Sequence, residues 1–545
     1  MRMRFAHICV SLLFCLSLAA RDTTYVSGAI QHDGLLEYHP KWYYGSNSYV
    51  DLSVYYLNDS NRYHFKQLRA STRLELTQWP LPGFDKEFAG YGIGHLSVAA
   101  TFDFGEITVG DCYAQFGSGF ILNLHEERAL GVDGAVRGAK FDLTPYHGIH
   151  LTLLGGKQRR YWNCYDDHAW GWNYARDAVL GADLELHIDD WSPRMQEQAM
   201  HLTLGTSYVS KYERFDSVYT LRDDGMYIYN LPRWVGAADV RANWQYKGWD
   251  VLVEYARKAN DPCDDNNFSY RPGEALMASV GYSRKGFSVL AQAKRSYNMA
   301  FRSSRHWSGN SGLDGRLNLL PVFGRQHTYA LPALNQYATQ YTIGEWAFQA
   351  EMRYKCNRKT SLRLSAAHIR GLAGDGWWGI NTHANGEYYT DVNIELENKP
   401  LRNLWLNAML MYQTVNLSVL EGEGGLMRAG IAVLESRVKA NDHIVIRNEL
   451  QYLYTPHAEG QWIFALCELS LWRCVMISGE YMYNIGFAPL ASHDHYYTFS
   501  ATYTHAAHRL RLGYTKTQEG FNCTGGVCRY IPRQQGICVN YSFTW

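Results

Sequence analysis

Beyond residue 20 the chain has no run of 18 apolar residues, so no segment of it can cross a bilayer as a helix. Proline is scarce, at 14 in 545 residues, and there is no basic excess, since 52 Lys and Arg stand against 52 Asp and Glu. That balance leaves no electrostatic footprint for nucleic acid. Cysteine is thin as well. Of 11 cysteines, Cys9 and Cys15 fall in the leader described below, and the remainder is an odd number scattered over a long chain rather than a dense disulfide framework. What the chain has in quantity is tyrosine and glycine, 41 and 48 residues, with 17 tryptophans. This usage suits strands, tight turns and the headgroup level of a membrane. With helical spans excluded, a closed barrel is the architecture left for crossing a bilayer.

The N-terminus opens with Arg2 and Arg4, continues through the apolar run from Phe5 to Leu18 and reaches the small residues Ser17, Ala19 and Ala20. This pattern predicts a cleaved secretory signal peptide over residues 1–20, leaving 21–545 as a single outer-membrane β-barrel domain. Loss of Arg2 and Arg4 leaves the mature chain two charges negative. Cys15 follows Leu13 and Phe14, which are too bulky for a lipoprotein cleavage site.

Period-two alternation recurs in segments of about ten residues. Phe348, Ala350, Met352 and Tyr354 alternate with Gln349, Glu351, Arg353 and Lys355. Ile444, Ile446 and Leu450 alternate in the same way with Arg447, Glu449 and Gln451, and Leu510, Leu512 and Tyr514 with Arg509, Arg511 and Thr515. An apolar face outward to lipid and a wet face inward produce this reading. Short turns are expected at Lys247-Gly248, Arg284-Lys285-Gly286, Asn357-Arg358-Lys359, Lys399-Pro400, Asn441-Asp442, Trp472-Arg473 and Ala506-Ala507. Longer connections lie between them, the longest from Tyr297 to Tyr337. The fold class that follows is all-β: a large closed antiparallel transmembrane barrel of about 24 strands (20–26), with short periplasmic turns and long extracellular loops. Side chains from the wall cannot fill a lumen that wide, so it is either an aqueous channel or plugged.

Between the fifth and sixth strands lies a glycine-rich stretch with charges unsuited to a lipid face: Phe116, Gly117, Ser118 and Gly119, then Glu126, Glu127, Arg128 and Asp133. It reads equally as a loop folded into the lumen, forming a constriction or plug, and as an ordinary surface loop after a bulged strand. Gly117-Ser118-Gly119 lacks the spacing of a nucleophile elbow, and no enzyme is expected. Asp166, Asp167 and His168 read as a solvated loop rather than an acid/base cluster. Asp261, Asp264, Asp265, Asn266 and Asn267 offer oxygen ligands without the spacing of a calcium loop, and His493, Asp494 and His495 make a short His-x-His. No metal or cofactor is expected from either. Trp42-Tyr43-Tyr44, Trp377-Trp378 and Tyr496-Tyr497 fit an interfacial girdle. Cys523 and Cys528 flank four residues and could close a small disulfide loop in an oxidising compartment.

The run from Val109 to Gly119, with Glu126 to Gly131 and Gly156 to Trp162, resembles a Bacteroidota family of outer-membrane proteins whose common domain has no assigned function. The resemblance spans nearly the whole mature chain and implies a fold and a membrane, but no reaction or ligand. Cys112 departs from the aromatic residue expected beside Tyr113, so it implies no cysteine chemistry. The last strand carries Ile537, Val539, Tyr541, Phe543 and Trp545 on one face. Resemblance to outer-membrane proteins implies that this aromatic-ended face is what the barrel-assembly machinery recognises. Two functions remain open. One is a channel or passive transporter for small hydrophilic solutes, favoured by inward charges of both signs. The other is a plugged barrel serving as scaffold or receptor for a protein partner at the extracellular loops in a surface, export or assembly complex. Besides outer-membrane lipid and the assembly machinery, no further partner is implied. Nothing resembling a plug domain with an energy-coupling box is expected ahead of the first strand.

Overall fold

The computed structural model describes residues 23–545 apart from 40, 60–63, 163–171, 175–176, 215–216, 223–224, 307–314, 375–377, 421, 423, 458–459, 487–492 and 525–526. The leader, Asp166, Asp167, His168 and Trp377 lie outside the described residues. Twenty-four antiparallel strands build the wall. The first twelve are β1 (Thr23–His39), β2 (Lys41–Leu57), β3 (Gln67–Leu76), β4 (Tyr91–Phe102), β5 (Gly105–Cys112), β6 (Val136–Tyr146), β7 (Ile149–Trp162), β8 (Ala178–His187), β9 (His201–Tyr212), β10 (Trp234–Tyr246), β11 (Trp249–Lys258) and β12 (Gly273–Arg284). The rest are β13 (Phe287–Tyr297), β14 (Glu345–Lys355), β15 (Thr360–Arg370), β16 (Glu387–Leu401), β17 (Leu404–Asn416), β18 (Leu426–Lys439), β19 (Ile444–Tyr454), β20 (Gln461–Leu471), β21 (Val475–Gly486), β22 (His495–His505), β23 (His508–Thr517) and β24 (Gln534–Thr544). Each strand pairs with its chain neighbours, and β1 meets β24 from Ala29 opposite Thr544 to Glu37 opposite Gly536. That last ladder closes the sheet and removes the edges an open sheet would expose.

Alternation decides which face is which. On β14, Phe348 and Tyr354 point outward and are exposed, as are Leu450 on β19 and Leu512 on β23. Their neighbours Glu351, Glu449 and Arg511 belong to ion pairs or hydrogen bonds on the inner face. An apolar outer surface on a closed sheet requires lipid around it. The short turns are tight. Lys247 and Gly248 both sit at positive φ, 46° and 87°, as a two-residue hairpin matched to strand twist demands. One expected turn is displaced. Lys399 and Pro400 lie inside β16, which shifts register between Asn398 and Leu401, and the chain turns at Arg402-Asn403 instead. Proline lacks a donor but sits where the ladder is already ending, so its presence costs the strand little.

Two connections at the other end do not stay outside. Residues 113–135, between β5 and β6, and the described residues of 298–344, between β13 and β14, bond to side chains on the inner face of the wall. We term them the first and second inserts. They bury a common apolar cluster that includes Phe116, Phe120, Ile121 and Leu122 from the first and Phe301, Leu317, Leu320 and Phe323 from the second. The wall contributes inward residues to it from β6 round to β18, among them Val136, Val209, Ala256, Met277, Ile369 and Val415. A neighbouring cluster seats Tyr329 and Leu331 against Met409, Ile431, Leu453 and Trp462.

Candidate functional site: the filled lumen

The first insert is fastened at both ends of its path. At Gly117-Ser118-Gly119 the backbone turns through positive φ, 51° and 89° at the two glycines. A Cβ at Gly117 would lie 2.7 Å from Glu254 Oε1, and one at Gly119 would lie 2.9 Å from the Leu319 carbonyl, so both positions need glycine for space as well as for φ. The turn presents the Ser118 N–H and hydroxyl to the Glu254 carboxylate on β11, the hydroxyl donating at 2.6 Å. Ser118 is thus tied to a wall carboxylate. Phe116 is buried beside Gly181 of β8, where a Cβ would approach its ring to 2.9 Å.

The charged half of the same insert meets β1, β2, β3 and β7. Arg73 on β3 donates to Asp51 at 2.8 Å and to Glu126 at 2.7 Å, and Arg128 donates to Glu126 at 2.7 Å and to Asp51 at 2.9 Å. Arg128 also lies 4.7 Å from the centre of the Tyr49 ring and reaches Gln31 of β1. Asp133 accepts from Tyr113, from the Ala135 N–H and from Arg159, whose other amine donates to Glu75. Burial pushes the Glu126 carboxyl up in spite of Arg73 and Arg128. Burial would do the same to Asp133, but Arg159 and Arg73 outweigh it and hold that carboxyl below the ordinary range. Glu127 accepts from the Ala129 N–H within its own turn.

The second insert follows the inner wall from β14 to β19. The Gly324 N–H donates to Gln349 on β14, and Arg325 to Glu395 on β16. His327 pairs with Asp391 at 3.0 Å, Tyr329 donates to Glu435 on β18 at 2.8 Å, and the Leu331 N–H donates to Gln451 on β19 at 2.8 Å. Residues 324–331 of the insert thus engage β14, β16, β18 and β19 in turn. The inserts also hold each other. Asn123 N–H donates to the Leu317 carbonyl at 2.7 Å, Leu319 N–H to the Gly119 carbonyl at 3.1 Å, and the Asn318 amide to the Phe120 carbonyl at 2.8 Å. Backbone groups of a buried loop need such partners, because water cannot reach them.

Magnitudes identify what keeps the assembly in place. Each large apolar side chain it buries contributes about 1.5–3 kcal/mol, whereas the attraction within the buried ion pairs, such as Arg159 with Asp133, is offset by the desolvation of both charges. The shared apolar cluster is therefore the holding force, and the polar contacts fix its orientation.

The remaining candidates fall out as follows. Asp261 faces Lys211 at 2.8 Å, Asp265 takes the Arg302 guanidinium, and Asp264 lies 3.2 Å from His306, so these carboxylates already have basic partners. Asp494 faces Arg533 at 3.5 Å, and Tyr481 bonds His495 at 2.6 Å. Among the described residues no three His, Cys, Asp or Glu side chains stand together as metal ligands. Trp42, Tyr43 and Tyr44 are exposed near a rim, as is Trp378, while Tyr496 is buried against Trp462. Cys112 is buried and free. The backbones of Cys523 and Cys528 are direct partners in a hairpin, and their side chains lie outside the described residues. Ile537, Val539, Tyr541 and Phe543 alternate along β24, with Trp545 beyond its end; the Gly28 N–H donates to the Trp545 carbonyl at 3.1 Å and the Trp545 N–H returns a bond of 3.0 Å. The second insert escaped the sequence reading as an internal element. Its signal was there, since Met299, Phe301, Leu317, Leu319, Leu320 and Phe323 are more apolar than a solvated loop needs.

A family profile described as a family of unknown function, DUF6029, matches residues 9–545. No curated protein matches. Among solved structures, a variant of the ferric enterobactin receptor PfeA from Pseudomonas aeruginosa is similar at 8% identity and a TM-score of 0.40, over 96% of this chain and 80% of that one. The siderophore receptor PirA of Pseudomonas aeruginosa gives 8% and 0.41 over 96% and 81%. OccAB2 of Acinetobacter baumannii gives 8% and 0.36 over 96% and 98%. At that distance they carry no argument about what this barrel passes or binds.

Proposed function

The chain belongs to the DUF6029 family, and on that premise we propose that it is an outer-membrane barrel with a built-in plug, a restricted channel for small hydrophilic solutes. An apolar outer wall on a closed antiparallel barrel supports the outer membrane as its location. The observation that carries the plug is the apolar cluster shared by the two inserts and by inward residues from most of the wall. A surface loop has no reason to bury Phe120, Ile121, Leu317 and Leu320 together inside a barrel. Phe116 to Gly119 are the anchor of the plug to β11, and Glu126, Arg128 and Asp133 its anchor to β2, β3 and β7. No catalysis is assigned, and Ser118 acts as a fastener.

Planar-bilayer conductance tests this. Tyr297 and Glu345 end neighbouring strands, with Ser296 opposite Glu345, so residues 299–343 can be replaced by a short Gly/Ser linker. The wild-type barrel is expected to pass little current and the variant at least about tenfold more, since flow rises steeply with pore cross-section. Equal currents would remove the plug reading. The scaffold reading would gain ground if both barrels were silent and a stoichiometric protein partner were recovered from solubilised membranes.

A further inference from the structure

We propose that the lipid-facing side of the wall carries a binding groove for one anionic phospholipid, running down β18 from Arg428 to Leu434; this rests on the outer-membrane location and not on the plug. The groove follows from strand register. Gly430 on β18 stands directly between Tyr412 of β17 and Tyr454 of β19, and Ala432 stands between Leu410 and Tyr452. All six point outward, so the two small residues make a floor between four large exposed side chains. A Cβ at Gly430 would meet nothing within 4 Å, and the space above the floor is therefore open. Leu434, between Ala408 and Leu450, stands up at the lower end and closes it. The result is two adjoining hollows of about 430 and 530 Å³ that share Leu410, Ala432 and Tyr452.

Charge and depth select the occupant. Arg428, the next outward residue above Gly430, lies opposite Thr414, is exposed and belongs to no ion pair among the described residues. The rim carboxylate Glu387 is already engaged, accepting from Thr390 and Thr414. Glu421 and Glu423 lie outside the described residues. Ten residues separate Arg428 from Val438 near the other end of β18, which is about 34 Å along the strand and about 25 Å along the barrel axis at the usual tilt. Arg428 therefore stands at headgroup level, with the groove beneath it in the hydrocarbon and the Tyr412 and Tyr454 rings at its mouth. A guanidinium offers paired donors that match phosphate oxygens. One ligand satisfies both features: an acyl chain lies between the tyrosines while its phosphate meets the arginine.

Native mass spectrometry of the full chain in detergent tests this, with dioleoylphosphatidylglycerol or the zwitterionic dioleoylphosphatidylcholine added. Wild type is expected to retain one phosphatidylglycerol about fivefold more than phosphatidylcholine, the gain from one basic side chain beside an anionic headgroup. Arg428→Gln should abolish that preference and leave the weaker binding common to both lipids. Gly430→Leu fills the hollow without a clash and should weaken both. Arg257→Gln, at an exposed outward arginine on β11, should change neither. A heat-modifiable band shows that each variant is folded. Equal retention of the two lipids, or a preference that survives Arg428→Gln, overturns the site. So does displacement of the lipid by inorganic phosphate, which would leave an anion site without a groove, or a lipid-free dimer that Gly430→Leu dissociates, which would give the groove to a second copy. A wild-type barrel that fails to enter liposomes would overturn the outer-membrane location itself, while one that inserts and shows no lipid preference overturns this inference alone.

Discussion

Arg159 is the side chain on which the charged half of the lumen turns. It is buried between Glu75 and Asp133, one from the wall and one from the first insert. Replacing it with methionine keeps its bulk but leaves two carboxylates facing each other. Removing one partner of a buried ionic group costs about 3–5 kcal/mol, so Arg159→Met should lower the temperature at which the barrel loses its heat-modifiable mobility in detergent gels. An unchanged transition would mean the pair is hydrated. A second single-residue case sits at the seam. A Cβ at Gly28 would lie 2.2 Å from the Trp545 ring, so glycine here is a seat for the last residue of the chain. Gly28→Leu should displace that ring and destabilise the closed form by about 1–3 kcal/mol, the usual cost of overpacking. The same gel assay reads it, with Trp545→Ala expected to relieve the clash.

At the scale of elements, the two inserts should answer acid differently. Asp265, in the connection between β11 and β12, anchors Arg302 of the second insert. Burial alone would raise its carboxyl, but the hydrogen bond and charge of Arg302 hold it below the ordinary value. A depressed carboxyl contributes stability above its unfolded pKa, and that stability is lost as pH falls through the folded value. Asp133 in the first insert has the same sign. Glu126 has the opposite one, because its raised carboxyl binds a proton more tightly in the folded state, and it partly offsets the loss there. Below about pH 4, the ordinary aspartate range, the second insert should therefore loosen first. Limited proteolysis of the reconstituted barrel across pH 3–7 checks this. Cleavage confined to the first insert would contradict it. Much of this level was legible in sequence as strands, because period-two alternation is local: β14, β19 and β23 appear with the inner and outer faces expected. The turn expected at Lys399-Pro400 was not, since a proline at the end of a strand and one in a turn look alike without the partner strand.

Over the whole molecule, the hydrogen-bonded ladder of the wall is separate from what fills it, although the two share an apolar cluster. The ladder is continuous from β1 to β24 and closes on itself without using either insert. The insert-replaced barrel should accordingly remain folded and heat-modifiable while gaining conductance. Loss of the folded band would show instead that the plug is part of the barrel's own core. In chain terms the wall is made of pairs between consecutive strands apart from its closing ladder of β1 with β24, while the plug is made of long-range pairs such as Asn318 with Phe120, 198 residues apart. The sequence by itself determined the closed antiparallel wall, its strand parity and the aromatic-ended last strand, because each of these is written in neighbouring residues and in the alternation between lipid and water. It also marked Phe116 to Asp133 as unusual, without saying which way that loop folds. Only the tertiary structure decided that this stretch and the apolar connection after β13 turn inward and meet, because that choice depends on apolar surface from two distant segments finding a common place to bury, and no local pattern encodes that meeting.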